Sequence, residues 1–470
     1  MRYPNFRHDE HSLSLLLSLM IRPSPGFVRP SNNYCRAFIE QLQAAAGVRF
    51  NNRIYTPLVT MWLLVAQRLQ SGAPLDAAVV QLLSTLPDSF WPNPCKRVRQ
   101  WREEGKMPSN NTGAYNQARQ GLPVFMTEQS CDRIFDGLLI KIDNPSEASR
   151  TFILDGSTAR TAHSPELCRD FPPGSNQHGE GHWPMLRVLV AHDLRTGLAM
   201  RPQWGPLNGP NAVSEQQLLE QAIDRLPNGS TVMGDANFGV FSVAYAATRR
   251  KHPVVLRLTT ARAQHLAGGP LQDGIDRKIV WQPTKYDRRS HPELPDDASV
   301  SGRLVVRQVQ PSDGKGAFLL ALFFTRGTTQ KAFDLYGQRW AIETDLRTLK
   351  STLCLDQLTC TTPEMVAKEI DMGIAAYNLV RSVIALASQQ SGIPPRRYGF
   401  TRVERIIRAF APKLASAKTE QQAKRIFDQI MQCVHRCVLP RRKRKQPSYP
   451  RGVWKKGATY PNRKTRSRNA

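Results

Sequence analysis

Residues 327–354 read GTTQKAFDLYGQRWAIETDLRTLKSTLC. The stretch predicts a single helix. Thr328 or Thr329 can cap its start, no Gly or Pro interrupts it after Gly337, and Ala, Leu, Arg, Glu and Lys fill it. At 100° per residue, Tyr336, Arg339, Arg347 and Lys350 lie within about 40° of Glu343, so one face carries a carboxylate, three cations and a phenol. The opposite side holds Phe333, Leu335, Ala341, Ile342, Leu346 and Leu349, a stripe suited to burial.

A glutamate flanked by arginines at i±4 has a purely structural use, worth a few tenths of a kcal/mol on an exposed helix. Its chemical use is a phosphodiester site, with Glu343 binding a metal ion while Tyr336, Arg339 and Lys350 hold phosphate oxygens. The spacing Tyr336-x2-Arg339-x3-Glu343-x6-Lys350 resembles, at every defined position, the signature that closes the catalytic domain of the IS-four family of DDE transposases. Tyr55-Thr-Pro-Leu-Val-Thr60, Thr112-Gly-Ala-Tyr115, Ala118-Arg119 and Leu122-Pro123 are similar to the family's N-terminal region. Tyr377-Asn-Leu-Val-Arg381 is similar to the segment after its signature. The resemblance spans roughly residues 50 to 385.

Upstream of the signature the pattern turns to strands. Thr151-Phe-Ile-Leu-Asp155-Gly-Ser reads as a short apolar strand ending on a carboxylate and a glycine turn. A loop of Gly, Pro and His follows over 162–184. Leu186–His192 and Leu198–Gln203 then pair as a hairpin, with Asp193 in its turn and pointing to solvent. Residues 214–226 read as an amphipathic helix with Glu215 in its first turn, Thr231–Asp235 as a strand ending on a carboxylate, 241–251 as a helix and 253–258 as a fifth strand. This order predicts an α/β, ribonuclease-H-like catalytic core in which the first and fourth strands lie side by side. Their ends would bring Asp155 and Asp235 together, and the signature helix would present Glu343. Three carboxylates in one site repel one another unless a divalent cation neutralises them, which asks for Mg²⁺ or Mn²⁺. Singly, each aspartate also reads as a turn residue.

Residues 1 to about 140 predict a helical N-terminal region, with helices at 58–69, 74–86 and 109–122 and Arg119 on the surface of the last, which reads equally as a small bundle that enters a DNA groove and as a purely structural helical domain. The catalytic core is expected over 150–258 and 326–390. Between its halves, 259–325 reads as an all-β insertion, with strands at 278–281, 303–309 and 317–324 and polar loops at 286–297 and 311–316. It resembles the insertion of Tn-five-like members, which supplies an aromatic that stacks on a base flipped out of a DNA hairpin; Trp281 is the candidate here, although a tryptophan in a strand is more often a core residue. A helix from 362 to about 390, C-terminal helices over 391–440 and a basic tail over 441–470 complete the chain.

The 470 residues carry 65 Lys plus Arg against 38 Asp plus Glu, a net charge of +27 that favours a polyanionic partner. The tail holds twelve of those cations and no acid, leaving the body strongly basic too. Eight cysteines without framework spacing fit a reduced, cytoplasmic protein. Cys433-Val-His-Arg-Cys437 reads as plain helix, Leu13–Ile21 is too short to span a bilayer, and no other segment approaches a span.

The resemblance implies a bacterial insertion-sequence transposase, nucleoid-associated, that binds double-stranded DNA at element ends and target. Asp155, Asp235 and Glu343 would hold two Mg²⁺ ions about 3.5–4 Å apart, with Mn²⁺ able to substitute. Arg339 and Lys350 would clamp phosphates beside the cut, and Tyr336 would hydrogen-bond the same backbone. A homodimer would act in a synaptic complex. An inactive or domesticated DNA-binding relative, and a nuclease on the same fold, are the alternatives.

Overall fold

The computed structural model describes residues 38–440 apart from 52, 86–89, 92, 143–149, 178, 311–315, 416 and 418. The helix expected at Leu13–Ile21 and the basic tail lie outside these residues. The described chain forms two compact units. Residues 38–142, 195–201 and 345–439 make the first, and 150–194 and 202–344 the second.

After a helical stretch over 38–45, the first unit continues with helices α1 (Pro57–Leu69), α2 (Leu75–Thr85), α3 (Lys96–Glu104), α4 (Gly113–Gly121) and α5 (Val124–Ile142). Thr56 caps α1 by accepting from the Val59 amide, with Pro57 in the first turn where its missing N–H costs nothing. Val59, Trp62, Leu63, Val79, Leu82, Trp91, Trp101 and Tyr115 form one apolar cluster. Neither α3 nor α5 was legible: α3 follows directly on the Pro92–Pro94 break, and α5 has no cap pattern.

The second unit is built on one mixed sheet. Its strands are β1 (Thr151–Arg160), β2 (Pro173–Asn176), β3 (Gly179–Asp193), β4 (Gln203–Pro206), β5 (Thr231–Gly234), β6 (Val254–Arg257), β7 (Asp276–Trp281), β8 (Val300–Val309) and β9 (Phe318–Phe324). They run in the order β2-β3-β1-β5-β6-β9-β8-β7, with β4 on β3. β1, β5 and β6 are parallel, and β3 lies antiparallel to β1. Phe152–Leu154, Val232–Gly234 and Val254–Leu256 are buried without alternation, as strands covered on both faces require. Between strands lie α6 (Pro165–Asp170), α7 (Glu215–Ile223), α8 (Phe241–Arg249), α9 (Thr260–Ala267) and α10 (Lys285–Ser290).

Several expectations change. β1 and β3 outrun their apolar runs because they pair with each other from Phe152 opposite Asp193 to Arg160 opposite Met185. The hairpin strand expected at 198–203 begins only at Gln203. Asp193 is buried at the end of β3 with Arg150 3.7 Å away, not solvated in a turn. The insertion is not all-β. Its strands extend the main sheet through β9 on β6, and α9 and α10 interrupt it, α10 being started by a Thr284/Asp287 capping box inside the expected polar loop.

The stretch 327–354 is not one helix. α11 (Thr329–Gly337) ends at Gln338, α12 (Trp340–Arg347) restarts after Arg339, and Thr348–Thr352 winds as a π-helical turn. Gly337, a poor helix former in the chain's middle, marks the break.

The first unit resumes with α13 (Pro363–Ser391), α14 (Phe400–Ala415) and α15 (Glu420–His435). Residues 365–387 of α13 are buried on all sides, so this helix is the core of a helical unit. By length and composition it could cross a membrane, which corrects the expectation that nothing approaches a span; its apolar window is wholly buried in protein. The charges it buries are paired. Glu369 accepts from Arg68 and from Arg119 (2.8 Å), which is therefore a core residue and not a surface one. Lys368 donates to the Arg119 and Gln120 carbonyls at the end of α4, and burial lowers its pKa to about 8. Asn378 clasps the Ala199 backbone through two 2.8 Å hydrogen bonds. Cys433 lies on α15, and Cys437 follows its end.

Candidate active site

The parallel register of β1 on β5 pairs Thr151 with Thr231 and Ile153 with Met233. Two residues further, where β5 has ended, Asp155 and Asp235 come level. Asp155 is in mid-strand, opposite Val190 of β3, with its Oδ1 accepting from the Gly156 amide at 2.9 Å. Asp235 opens a tight turn. Its carbonyl accepts from Phe238 and Gly239, and its Oδ1 accepts from the Asn237 amide at 2.9 Å.

That turn lies against the end of β6. A Cβ on Gly239 would stand 2.0 Å from the Arg257 carbonyl, where no side chain fits. Gly239→Ala is therefore expected to destabilise the protein by about 1–3 kcal/mol in urea denaturation, as forced overpacking does; an unchanged midpoint would show that the turn yields freely.

The electrostatics mark the same place. Burial pushes the Asp155 carboxyl up to about 6, and the negative charges of Asp235 and Glu215 add to the rise. The Gly156 amide and the Arg339 guanidinium oppose it. Glu215, the first residue of α7, accepts from Asn237 Nδ2 at 2.6 Å and from Arg187 of β3 at 3.4 Å. In the sequence Glu215 stands out only as an acid in the first turn of a helix. The spatial signal was Gly156: a Cβ there would fall 2.2 Å from Glu215 Oε1.

Arg339 lies in the break between α11 and α12 and donates to Glu343 Oε1 at 2.9 Å. Tyr336 is buried at the end of α11. Burial raises its hydroxyl's pKa, while Arg339 and Arg257 oppose the rise. Lys350 is half-buried on the π-helical turn of the first unit. Trp281 is 2% exposed, its ring packed edge-on against Phe323 (5.0 Å) and Phe241 (6.0 Å). Both neighbours come from the sheet unit's core, so the described structure leaves no open face of Trp281 for a base to stack on.

Asp155 and Asp235 offer hard carboxylate oxygens whose repulsion a divalent cation would relieve, so the pair fits such an ion in chemistry. Glu343 is not gathered with them. Among the described residues no group of three or more His, Cys, Asp or Glu side chains stands close enough to hold a metal, and Glu343 is turned to Arg339.

Residues 146–379 match the family model described as a transposase DDE domain. The chain is 24% identical over 380 residues to the transposase InsG for insertion sequence element IS4 of Escherichia coli (strain K12), covering 77% of this chain and 78% of that protein.

Proposed function

Because the chain belongs to the DDE transposases of the IS4 family, we propose that it binds the terminal inverted repeats of an insertion sequence, cuts there and joins the freed ends to target DNA. The observation that carries this reading is the parallel β1–β5 pair, which sets Asp155 level with Asp235. We read the sheet around it as a ribonuclease-H-like core.

Divalent ions, Mg²⁺ or Mn²⁺, supply an activated oxygen nucleophile and stabilisation of the leaving oxygen when bound. Asp155 and Asp235 would hold them, and Glu343 would join once its partner is drawn away. Arg339 is that partner. A DNA phosphate competes with Glu343 for the guanidinium, so substrate binding both clamps the backbone and frees the carboxylate. Tyr336 contacts the same backbone, and Lys350 binds a DNA phosphate. The body's positive charge draws DNA without regard to sequence. One site serves cleavage and joining because the two reactions differ only in nucleophile, water or a DNA 3′-hydroxyl. The protein works at the bacterial nucleoid as a homodimer across paired ends.

The test uses a duplex carrying the element's own end, identified from inverted repeats flanking the gene. Cutting and strand transfer are expected with Mg²⁺ and lost with EDTA, while end binding survives chelation. End binding without cutting in either Mg²⁺ or Mn²⁺ would replace this reading by that of an inactive DNA-binding relative; cutting without joining would favour a nuclease.

A further inference from the structure

We propose that Glu215 is a positioning residue that locks the Asp155 and Asp235 carboxylates to each other; this rests on the reading of Asp155 and Asp235 as catalytic residues. Glu215 stands at the start of α7, fixed by the Ser214/Gln217 capping box. One of its oxygens, Oε2, accepts from Asn237 Nδ2 at 2.6 Å, and the Asn237 amide in turn donates to Asp235 Oδ1 at 2.9 Å. The neighbouring Gln216 side chain holds the Asn237 carbonyl at 2.9 Å, so two successive residues of α7 grip the Asp235 turn. The other oxygen, Oε1, takes Arg187 of β3 at 3.4 Å and rests on Gly156 so closely that a methyl group there would overlap it. Gly156 is the residue whose amide holds Asp155 Oδ1.

The contacts form one path from Asp155 through Gly156, Glu215 and Asn237 to Asp235, crossing from β1 to the turn after β5. Both oxygens of Glu215 are engaged, Oε2 by Asn237 and Oε1 by Arg187, which distinguishes the role from that of a metal ligand. Placing a third carboxylate beside two others adds repulsion, so its retention by the fold calls for a compensating contact. Arg187 and Asn237 supply it. An outer carboxylate that orients ligands typically changes metal affinity or activity about 10–100-fold when removed.

The experiment compares full-length wild type, Glu215→Gln, Glu215→Ala and Asn237→Ala in two assays. Mn²⁺ affinity is read by electron paramagnetic resonance without DNA, and end cleavage is followed over a range of Mn²⁺ concentrations. Glu215→Ala and Asn237→Ala are expected to bind Mn²⁺ about 10–100-fold more weakly and to regain cleavage as Mn²⁺ is raised. Glu215→Gln keeps an acceptor for Asn237 and stays within about threefold of wild type. Asn237 is exposed, so its variant reports on the path even if Glu215→Ala does not fold. Wild-type Mn²⁺ affinity in both alanine variants overturns the proposal, as does a cleavage loss in Glu215→Ala that no Mn²⁺ concentration restores, which would make Glu215 a direct participant. If wild type binds Mn²⁺ but cuts nothing, the functional reading fails while the affinities still judge Glu215. A wild type that binds no Mn²⁺ overturns both.

Discussion

Replacing Asp155 by Asn is expected to abolish end cleavage, by at least about 10³-fold, and at the same time to stabilise the protein at neutral pH. The activity loss follows from removing one of the carboxylates that hold the catalytic ions, a contribution of several kcal/mol at tenfold per 1.36 kcal/mol. The gain in stability follows from the raised carboxyl. Its folded pKa of about 6, against an ordinary 3.8, means that folding costs free energy whenever the group must ionise. The protonated form contributes stability that is fully present below about pH 3.8 and is lost as pH rises through about 6. That rise in pKa corresponds to roughly 3 kcal/mol, and with partial exposure about 1–3 kcal/mol is expected. Asn keeps an acceptor for the Gly156 amide and has no charge to bury. Urea denaturation of both proteins, without metal or DNA, should show the variant more stable at pH 7.5 by a margin that shrinks towards pH 4. Cleavage within tenfold of wild type would remove Asp155 from the site, and a margin independent of pH would refute the electrostatic account. Glu343→Gln should separate the two effects. Its ion pair with Arg339 is partly exposed, so stability should move by no more than about 1 kcal/mol while cleavage falls as far.

The apolar runs that lead to Asp155 and Asp235 were legible because they are local patterns, and the parallel pairing of β1 with β5 follows from their order; in place of the turn read at Gly156, β1 continues to Arg160. What the sequence hid was long-range. The length of β3 is set by pairing with β1, β2 and β4, which no local pattern encodes. Helical periodicity across 327–354 overlooked Gly337, and with it the break that places Arg339 between two helices. Arg119 looked like a surface cation because its partner, Glu369, is 250 residues away. Trp281 carries the aromatic type expected of a base-stacking residue, yet two phenylalanines from other elements bury it. Glu215 gave no sign beyond its place in a first helical turn, since Gly156 and Asn237 meet it only in the fold.

Asp345 was legible in retrospect, for it sits about 200° from Glu343, amid the apolar stripe of Ile342, Leu346 and Leu349, where a carboxylate must be buried and paired. The structure pairs it twice. Its side chain is fully buried, accepting from Arg381 of α13 through one oxygen and from Arg396, beyond the end of α13, through the other. Arg381 is itself buried, hydrogen-bonded to the Tyr377 hydroxyl at 2.8 Å and packed on the Tyr377 and Phe400 rings. Asp345→Ala would leave that guanidinium in the core without a counter-charge, and removing one partner of a buried pair costs about 3–5 kcal/mol. The loss is expected as a fall in urea midpoint with little change in slope. The double variant Asp345→Ala, Arg381→Met removes the stranded charge and should recover much of it, because buried pairs exchanged for apolar groups are often near neutral. A single variant within about 1 kcal/mol of wild type would show that water reaches the site, and no recovery in the double variant would assign the cost to packing.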